Sequence, residues 1–249
     1  MSVSLPRALS KLGLCSRAEG VRLVEAGRVR VNGVVRQEIS LRVDPARDRL
    51  TVDGEAVEAA KRVYLALNKP RGLVTTRSDP QGRETVYSCL TAADLPFVAP
   101  VGRLDKASEG LLLLTNDTRW AAGILDPAAH VDKTYRVQIR WTADADALAA
   151  LCAALVAGVI DAETGETLAA RAASPVQAGG RTAWIELVLD EGRNRQIRRM
   201  FDAREIEVLR LMRIAIGGLA LGTLGKGEWR KLNAAEVRML ARKAESRGE

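Results

Sequence analysis

The sequence has little histidine and little cysteine. Of its 249 residues one is a histidine, His130, and three are cysteines, Cys15, Cys89 and Cys152, none of which forms a CxxC pair. Structural zinc sites draw most of their ligands from these two residue types, so we expect no metal site. The single histidine also argues against a Ser/His or Cys/His catalytic pair. Acid–base or nucleophilic chemistry is therefore expected from carboxylate, Tyr, Lys or Arg side chains.

Long apolar runs are also missing. No run approaches the ~20 residues that a membrane-spanning helix needs. The N-terminal segment MSVSLPRALSK lacks the apolar centre of a signal peptide. We therefore expect a cytosolic protein that does not contact a membrane. Aromatic residues make up only 4% of the chain, but 47% of it is hydrophobic and 28% is charged, which is typical of a globular protein. The length is comfortable for two domains.

The charge is unbalanced in favour of cations. The chain has 38 Lys and Arg residues against 31 Asp and Glu, and its pI is near 9.7. Residues 1–42 alone hold eight Lys and Arg residues against three Glu. Such a surplus favours a polyanionic partner, because each phosphate that is neutralised releases a condensed counterion. It is also compatible with a merely solvated charged surface.

The N-terminal segment predicts two short helices followed by hairpins. Leucines at helical spacing over residues 5–12 end at Gly13, a typical C-terminal stop. Ser16, followed three residues later by a glutamate, begins a second helix that ends at Gly27. Asn-Gly at residues 32–33 and Asp-Gly at 53–54 are strong hairpin signals, because both turn positions need positive φ. Six basic side chains of this unit are expected to contact RNA: Arg7, Lys11, Arg17, Arg22, Arg28 and Arg30.

The same segment resembles a known module. RALSKLGLCSRAEGVRLVEAGRVRVNGVV is similar to the S4 RNA-binding domain, with its SR motif, basic helix pair and closing GRVRVNG. One departure is Gly20 in the middle of the second helix, where glycine costs about 1 kcal/mol relative to alanine. We expect an S4-like domain over residues 1–58, a linker over 59–63 and a catalytic domain over 64–249.

The most specific stretch of the second part is VGRLDKASEGLLLLTND, residues 101–117. Four successive leucines are too few for an amphipathic helix and fit a strand buried on both faces. A polar loop that contains Asp105 leads directly into this strand, and such loops often hold functional groups rigidly. The residues alone are also compatible with a surface turn in which the aspartate accepts local amide hydrogen bonds.

A second block, LDEGRNRQIRRMF at residues 189–201, is rich in arginine. On a helix its apolar residues share one face, and Arg195 and Arg199 project from the opposite one. The planar guanidinium fork suits phosphate and carboxylate groups, so Arg193, Arg195 and Arg199 are expected to bind RNA. A helix held by structural salt bridges is the alternative, although residues 193–213 contain seven Arg against three acids.

Together these motifs resemble the three signature regions of the RsuA/RluB/RluE/RluF family of pseudouridine synthases. GRLDKASEGLLLLTND, KTYRV at 133–137 and EGRNRQIRRMF carry the resemblance, which covers nearly the whole chain. It implies that Asp105 is the nucleophile, that Tyr135 and Arg198 belong to the active site, and that Arg103 helps to hold a flipped nucleotide. It also implies an isomerisation without cofactor or metal, since atoms and charge balance.

The resemblance leaves several points open. Asp105 attacks ribose C1′ or uracil C6, or assists deprotonation of the sugar. The segment NKPRGLVTTRSDPQGRETV is closer to the members that modify large-subunit (23S) ribosomal RNA than to the small-subunit (16S) member. The rival functions are a non-catalytic S4-type assembly factor and a glycoside-cleaving enzyme with paired carboxylates. We expect a monomer whose partner is ribosomal RNA, free or within an assembling particle.

The remaining periodicity predicts an α+β fold. A helix is expected around residues 143–157 and another from about 233, with strands near 167–173, 182–189 and 206–221. The sequence has no βαβ repeat, no GxGxxG motif and no P-loop. We therefore expect the catalytic domain to be built on a mixed, mostly antiparallel sheet, with Asp105 in a cleft across its middle.

Overall fold

The structure, a computed structural model, describes residues 2–90 and 94–245 and divides into two compact units. The first unit comprises residues 2–64, 94–99 and 114–119, and the second comprises residues 65–90, 100–113 and 120–245. No helix in the described part of the chain is long and apolar enough to cross a membrane. The cytosolic location stays a prediction.

The first unit consists, in its described residues, of two helices and two small sheets. One sheet pairs β1 with β4, and the other has the strand order β3-β2-β5-β6. Its apolar core gathers side chains from both helices and from β1, β2, β4 and β5. The elements are β1 Val3–Ser4, α1 Leu5–Lys11, α2 Arg17–Glu25, β2 Val29–Val31, β3 Val34–Val35, β4 Arg42–Val43, β5 Leu50–Val52 and β6 Glu55–Ala56.

Local signals in the sequence account for these elements. Ser16 caps α2, since its Oγ accepts a hydrogen bond from the backbone N–H of Glu19 at 3.1 Å. The Asn-Gly and Asp-Gly turns have positive φ at both residues and connect β2 to β3 and β5 to β6, as predicted. Gly20, which helix propensity disfavours, is explained by packing: a Cβ there would lie 3.0 Å from the carbonyl oxygen of Pro6 on α1. The two helices approach closely because this side chain is absent.

The second unit is built on a nine-stranded sheet, which four α-helices accompany in the described residues. Along the main path the order is β13-β14-β10-β15-β9-β7-β17, with β16 paired to β15 and β8 paired to β9. The pairing of β15 with β9 is parallel, whereas β10 pairs with β14 and β15 antiparallel. The predicted mixed, mostly antiparallel sheet is thus confirmed. The elements are β7 Tyr64–Lys69, β8 Ala99–Val101, β9 Glu109–Thr115, α3 Thr118–Leu125, β10 Lys133–Arg140, α4 Ala145–Ala157, β11 Val159–Ile160, β12 Thr167–Leu168, β13 Ala172–Gly179, β14 Thr182–Leu189, α5 Gln196–Asp202, β15 Val208–Ile216, β16 Leu219–Ala220, β17 Trp229–Lys231 and α6 Ala234–Glu245.

Strand β9 lies in the interior of the second unit. Every residue of β9 is buried, and the four leucines 111–114 are fully so, as the sequence predicted. Gly110 lets β9 lie directly against β15: its φ is +101°, and a Cβ would lie 2.3 Å from the carbonyl oxygen of Arg213. The start of β9, which follows the GRLD loop, is therefore fixed against its neighbour by backbone contact.

Three sequence predictions differ in their boundaries. The strand expected at 167–173 is divided between β12 and β13, and the one at 206–221 between β15 and β16. The arginine block is expected to place Arg195 on a helix together with Arg199, but α5 begins only at Gln196. Arg195 lies before the helix with φ +48°, a left-handed conformation that a helix cannot contain.

Candidate active site

The second unit contains a cavity of about 470 Å³ beside the GRLD loop. This volume falls in the range of roughly 300–1,000 Å³ that is usual for small-molecule sites. Its walls come from the loop ahead of β9, from β10 and β15, and from the segment that leads into α5. The lining side chains used below are Arg103, Asp105, Lys133, Tyr135, Arg195 and Arg213.

Asp105 lies in the loop that feeds β9 and lines the cavity. Within the described ranges, no hydrogen bond or ion pair engages its carboxylate. A carboxylate that is not held by the protein keeps its lone pairs for a ligand. Arg103, two residues earlier, is exposed at the same cavity. The loop thus presents an acceptor and a guanidinium to the same space.

The loop that carries Asp105 is held by its backbone. All five carbonyl oxygens of residues 104–108 accept a hydrogen bond from elsewhere in the unit. Such complete engagement fixes the backbone, and with it the direction of the Asp105 side chain. The donors are Thr75 Oγ1 to Leu104 (2.6 Å), Lys69 Nζ to Asp105 (3.1 Å) and to Ser108 (2.7 Å), the Gly72 N–H to Lys106 (2.7 Å) and Arg198 Nη2 to Ala107 (3.3 Å).

Lys69, at the end of β7, provides two of these contacts. Its side chain is completely buried, and its Nζ also donates to the carbonyl of Pro70 at 3.0 Å. Burial lowers the pKa of Lys69 to about 8, against the opposing effect of the Asp105 and Glu109 charges. A protonated ammonium has three N–H donors, one for each of its three carbonyl acceptors. Lys69 therefore acts as a positioning residue beneath the loop.

Arg198, on α5, supports the loop from another side. Its Nη2 donates to Ala107 and its Nη1 to Val208 at 3.5 Å, while its buried Nε has no partner in the described part of the chain. Burial lowers the pKa of Arg198, and the charge of Asp105 acts in the opposite direction. No hydrogen bond joins the two side chains. The charges of Arg198 and Asp105 thus attract each other without a hydrogen bond, and the guanidinium holds the loop through the backbone carbonyl of Ala107.

Tyr135 lies on β10 and lines the cavity. Its cross-strand neighbours in register are Leu187 on β14 and Arg213 on β15. Directly opposite residues on one sheet face have Cβ atoms about 4.5–5.5 Å apart. The phenol ring is therefore held by the sheet on the same cavity as Asp105.

The arginines before and on α5 take different positions. Arg195 is exposed and lines the cavity. Arg193 also lines it, and its Nε donates to Glu191 at 2.9 Å. Arg199 does not project freely: it is ion-paired with Asp161 at 2.5 Å and with Glu166 at 3.0 Å, and its side chain is only 18% exposed. Its guanidinium is committed to these carboxylates, because the segment after β11 folds back on α5.

All six basic residues singled out in the first unit are exposed. Arg22 is ion-paired with Glu19, and Arg28 with Asp53. Arg30 Nη1 donates to the carbonyl of Gly33 at 3.1 Å. Arg7, Lys11 and Arg17 have neither an ion pair nor a side-chain hydrogen bond in the residues described. These last three are therefore the most available for phosphate.

Sequence reasoning missed four residues of the site. Lys69 and Thr75 hold the Asp105 loop, and Lys133 and Arg213 line the cavity. The signal that was available is a charged residue inside an apolar strand pattern, as in YLALNK and VLRLMRIAI. A buried cation needs acceptors or an anion, so such positions are candidates for functional residues. No cluster of three or more His, Cys, Asp or Glu residues suited to a metal occurs in the ranges described.

Comparison with known proteins shows to which family the chain belongs. Residues 63–203 match the model of the RNA pseudouridylate synthase family, and residues 3–50 match that of the S4 domain. The ribosomal large subunit pseudouridine synthase B of Bacillus subtilis is 35% identical over 95% of this chain and 94% of its own length. An uncharacterized RNA pseudouridine synthase of Aquifex aeolicus is 36% identical over 96% of this chain and 94% of its own.

A solved structure also matches nearly end to end. The crystal structure of a pseudouridylate synthase, 26% identical, superposes with a TM-score of 0.64 over 96% of this chain and 99% of that one. The resemblance of the sequence motifs is thereby confirmed, as is the enzyme class. The chain belongs to the RNA pseudouridylate synthase family and carries an S4 domain at its N-terminal end.

Proposed function

We propose that the chain converts one uridine of large-subunit (23S) ribosomal RNA to pseudouridine, with Asp105 as the nucleophile after the base is flipped. The observation that carries the proposal is the free carboxylate of Asp105 on a loop whose five consecutive carbonyls are all engaged. The relatives support the RNA class, since the Bacillus subtilis protein is named a large subunit synthase. A single copy suffices for this scheme, because every side chain in it belongs to one chain.

The reaction is an isomerisation. The bond between N1 of uracil and C1′ of the ribose breaks, and its electron pair stays with the base. The base turns in place, C5 bonds to C1′, a proton leaves C5 and N1 gains a proton. Attack of Asp105 at C1′, its attack at C6 and proton removal from the sugar all start from the same oriented carboxylate.

The other residues of the cavity take supporting roles. Tyr135 stacks on the uracil and its hydroxyl assists removal of the C5 proton. Arg103, exposed beside Asp105, holds the nucleotide outside its stack, which offsets part of the few kcal/mol that flipping costs. Arg198 and Lys69 keep the loop fixed. Arg7, Lys11 and Arg17 of the first unit, together with Arg193 and Arg195 at the cavity, contact phosphates.

The test compares wild type with Asp105→Asn. The amide is nearly isosteric, and no hydrogen bond or ion pair between this carboxylate and the described residues is lost, so the variant should fold and its RNA affinity should stay within about twofold of wild type. Pseudouridine formation should fall by at least roughly 10⁴-fold, as for removal of other nucleophiles. Turnover near the wild-type rate would refute the role of Asp105.

Mapping of pseudouridines in ribosomal RNA from cells with and without the gene tests the substrate. The proposal expects one large-subunit uridine to lose its modification. Loss of a pseudouridine from small-subunit (16S) ribosomal RNA instead would show that the target lies in that RNA. An unchanged map, with RNA binding retained, would favour a non-catalytic S4-type assembly factor.

A further inference from the structure

Arg213 is a cation buried in the wall of the cavity. It lies in the middle of β15, is 5% exposed and lines the cavity. Its Nε donates to the carbonyl of Leu111 at 2.8 Å, but its buried Nη2 has no hydrogen-bond partner in the described part of the chain. Nor does a carboxylate of the described residues form an ion pair with it. Burial of an unsatisfied charged donor is costly, so its presence on a cavity wall points to a ligand.

Lys133 places a second positive charge on the same cavity. It is half-buried on β10, and its Nζ makes one long hydrogen bond of 3.4 Å to the carbonyl of Asp190. Burial lowers the pKa of Lys133, and the neighbouring charge of Arg213 lowers it further. The negative charges of Asp190, Asp132 and Glu191 act in the opposite direction and raise this pKa. Two cations that repel each other across a cavity are stabilised when an anion or a carbonyl oxygen binds between them.

Both cations flank the ring on which the base is expected to stack. Arg213 is the register partner of Tyr135 across β10 and β15, and Lys133 precedes Tyr135 by two residues on the same strand. All three line the cavity together with Asp105. A uracil stacked on Tyr135 would therefore have its edge beside two cationic donors.

The proposed reaction creates a need for such donors. When the N1–C1′ bond breaks, uracil keeps the electron pair and carries negative charge that is shared by N1 and the carbonyl oxygens O2 and O4. Donors that are already oriented toward developing charge in a cavity lower the barrier, because they need no reorganisation. Asp105 cannot supply this stabilisation, since it is itself an anion.

We propose that Arg213 and Lys133 form a subsite that binds a carbonyl oxygen of the uracil and stabilises the detached, anionic base until C5 bonds to C1′. The inference rests on the proposed function, because it concerns the base that Asp105 releases. A backbone phosphate of the RNA shares the chemistry of this ligand. A phosphate and the uracil base differ in the quantity that their contact changes. A phosphate contact strengthens RNA binding, whereas a contact to the leaving base accelerates the chemical step.

The test is Lys133→Met, with Arg136→Met as the matched control. Arg136 lies on the same strand, is exposed and is 3.7 Å from Glu186. Single-turnover rates are measured with saturating enzyme on the ribosomal RNA fragment that carries the target uridine, and affinities by filter binding across a salt series. Lys133→Met should slow the chemical step on the order of 100-fold, as removal of one oriented donor does elsewhere, with affinity within about twofold and an unchanged salt slope.

Arg213 is tested by a graded pair of substitutions. Arg213→Lys keeps a cation and should recover part of the rate that Arg213→Met loses, which a purely structural role does not predict. Thermal melts check that each variant folds. If Arg213→Met does not fold, the subsite is tested with the single-turnover rates of Lys133→Met and Arg213→Lys.

Three outcomes overturn the subsite: a wild-type rate in Lys133→Met, a loss of affinity that accounts for the loss of rate, or an equal loss in Arg136→Met. Failure of the subsite is distinguishable from failure of the proposed function. If wild type is active, Asp105→Asn is inactive and Lys133→Met is unaffected, only the subsite is refuted. If wild type modifies no ribosomal uridine, the proposed function itself fails.

Discussion

Adding a single carbon atom at Gly110 should strongly lower the free energy of unfolding. In Gly110→Ala the new Cβ would lie 2.3 Å from the carbonyl oxygen of Arg213 and 2.8 Å from its nitrogen, where real contacts are not shorter than 3.0 Å. Strands β9 and β15 must therefore separate by about 0.7 Å, the difference between 3.0 and 2.3 Å. A residue other than glycine is also strained at φ +101°. Together these effects should cost about 3–5 kcal/mol, a large part of the ~5–15 kcal/mol that keeps a protein folded.

Gly82→Ala is the control for the conformational part of this cost. Gly82 has φ +68°, but apart from its chain neighbours no atom of the described residues lies within 4 Å of the point that an alanine Cβ would occupy, so only backbone strain of about 1–2 kcal/mol is expected. Free energies of unfolding are measured in urea by circular dichroism for both variants. Gly110→Ala should be at least about 2 kcal/mol less stable than Gly82→Ala. Equal stability of the two variants would show that β9 and β15 are not in close backbone contact.

Two further predictions concern pH and salt. Burial lowers the pKa of Lys69 to about 8, and a neutral amine has only two N–H donors for its three carbonyl acceptors. The single-turnover rate should therefore fall as pH rises through about 8. A rate that is flat between pH 7 and 9 would contradict this prediction. Replacing Arg7, Lys11 and Arg17 by Gln should reduce the slope of log affinity against log salt by roughly 2–3, with little effect on the rate at saturation. An unchanged slope in filter binding would exclude these side chains from the RNA contact.

Much of the fold was predictable because its signals are local. The caps and turns of the first unit depend on residues within four positions of each other, as Ser16 and Glu19 show. The buried leucine strand was recognisable from composition alone. These features need no knowledge of distant partners.

The support of the site was not predictable in this way. The contacts of Lys69 reach 36 and 39 residues along the chain, and Arg213 reaches 102 residues to Leu111. Arg199 was expected to face RNA, but Asp161 and Glu166, more than 30 residues earlier, bind its guanidinium. Residue types identify the cations, whereas only the sheet topology decides which of them meet a carboxylate and which face the cavity.

The engaged backbone of residues 104–108 has a consequence for substrate choice. A backbone segment whose carbonyl oxygens each accept a hydrogen bond is held in place and adapts little to an incoming strand, so the deformation falls on the RNA. Unstacking costs least where a nucleotide is already outside a regular helix. Bulges and hairpin loops should therefore be modified faster than the same nucleotides in a continuous duplex.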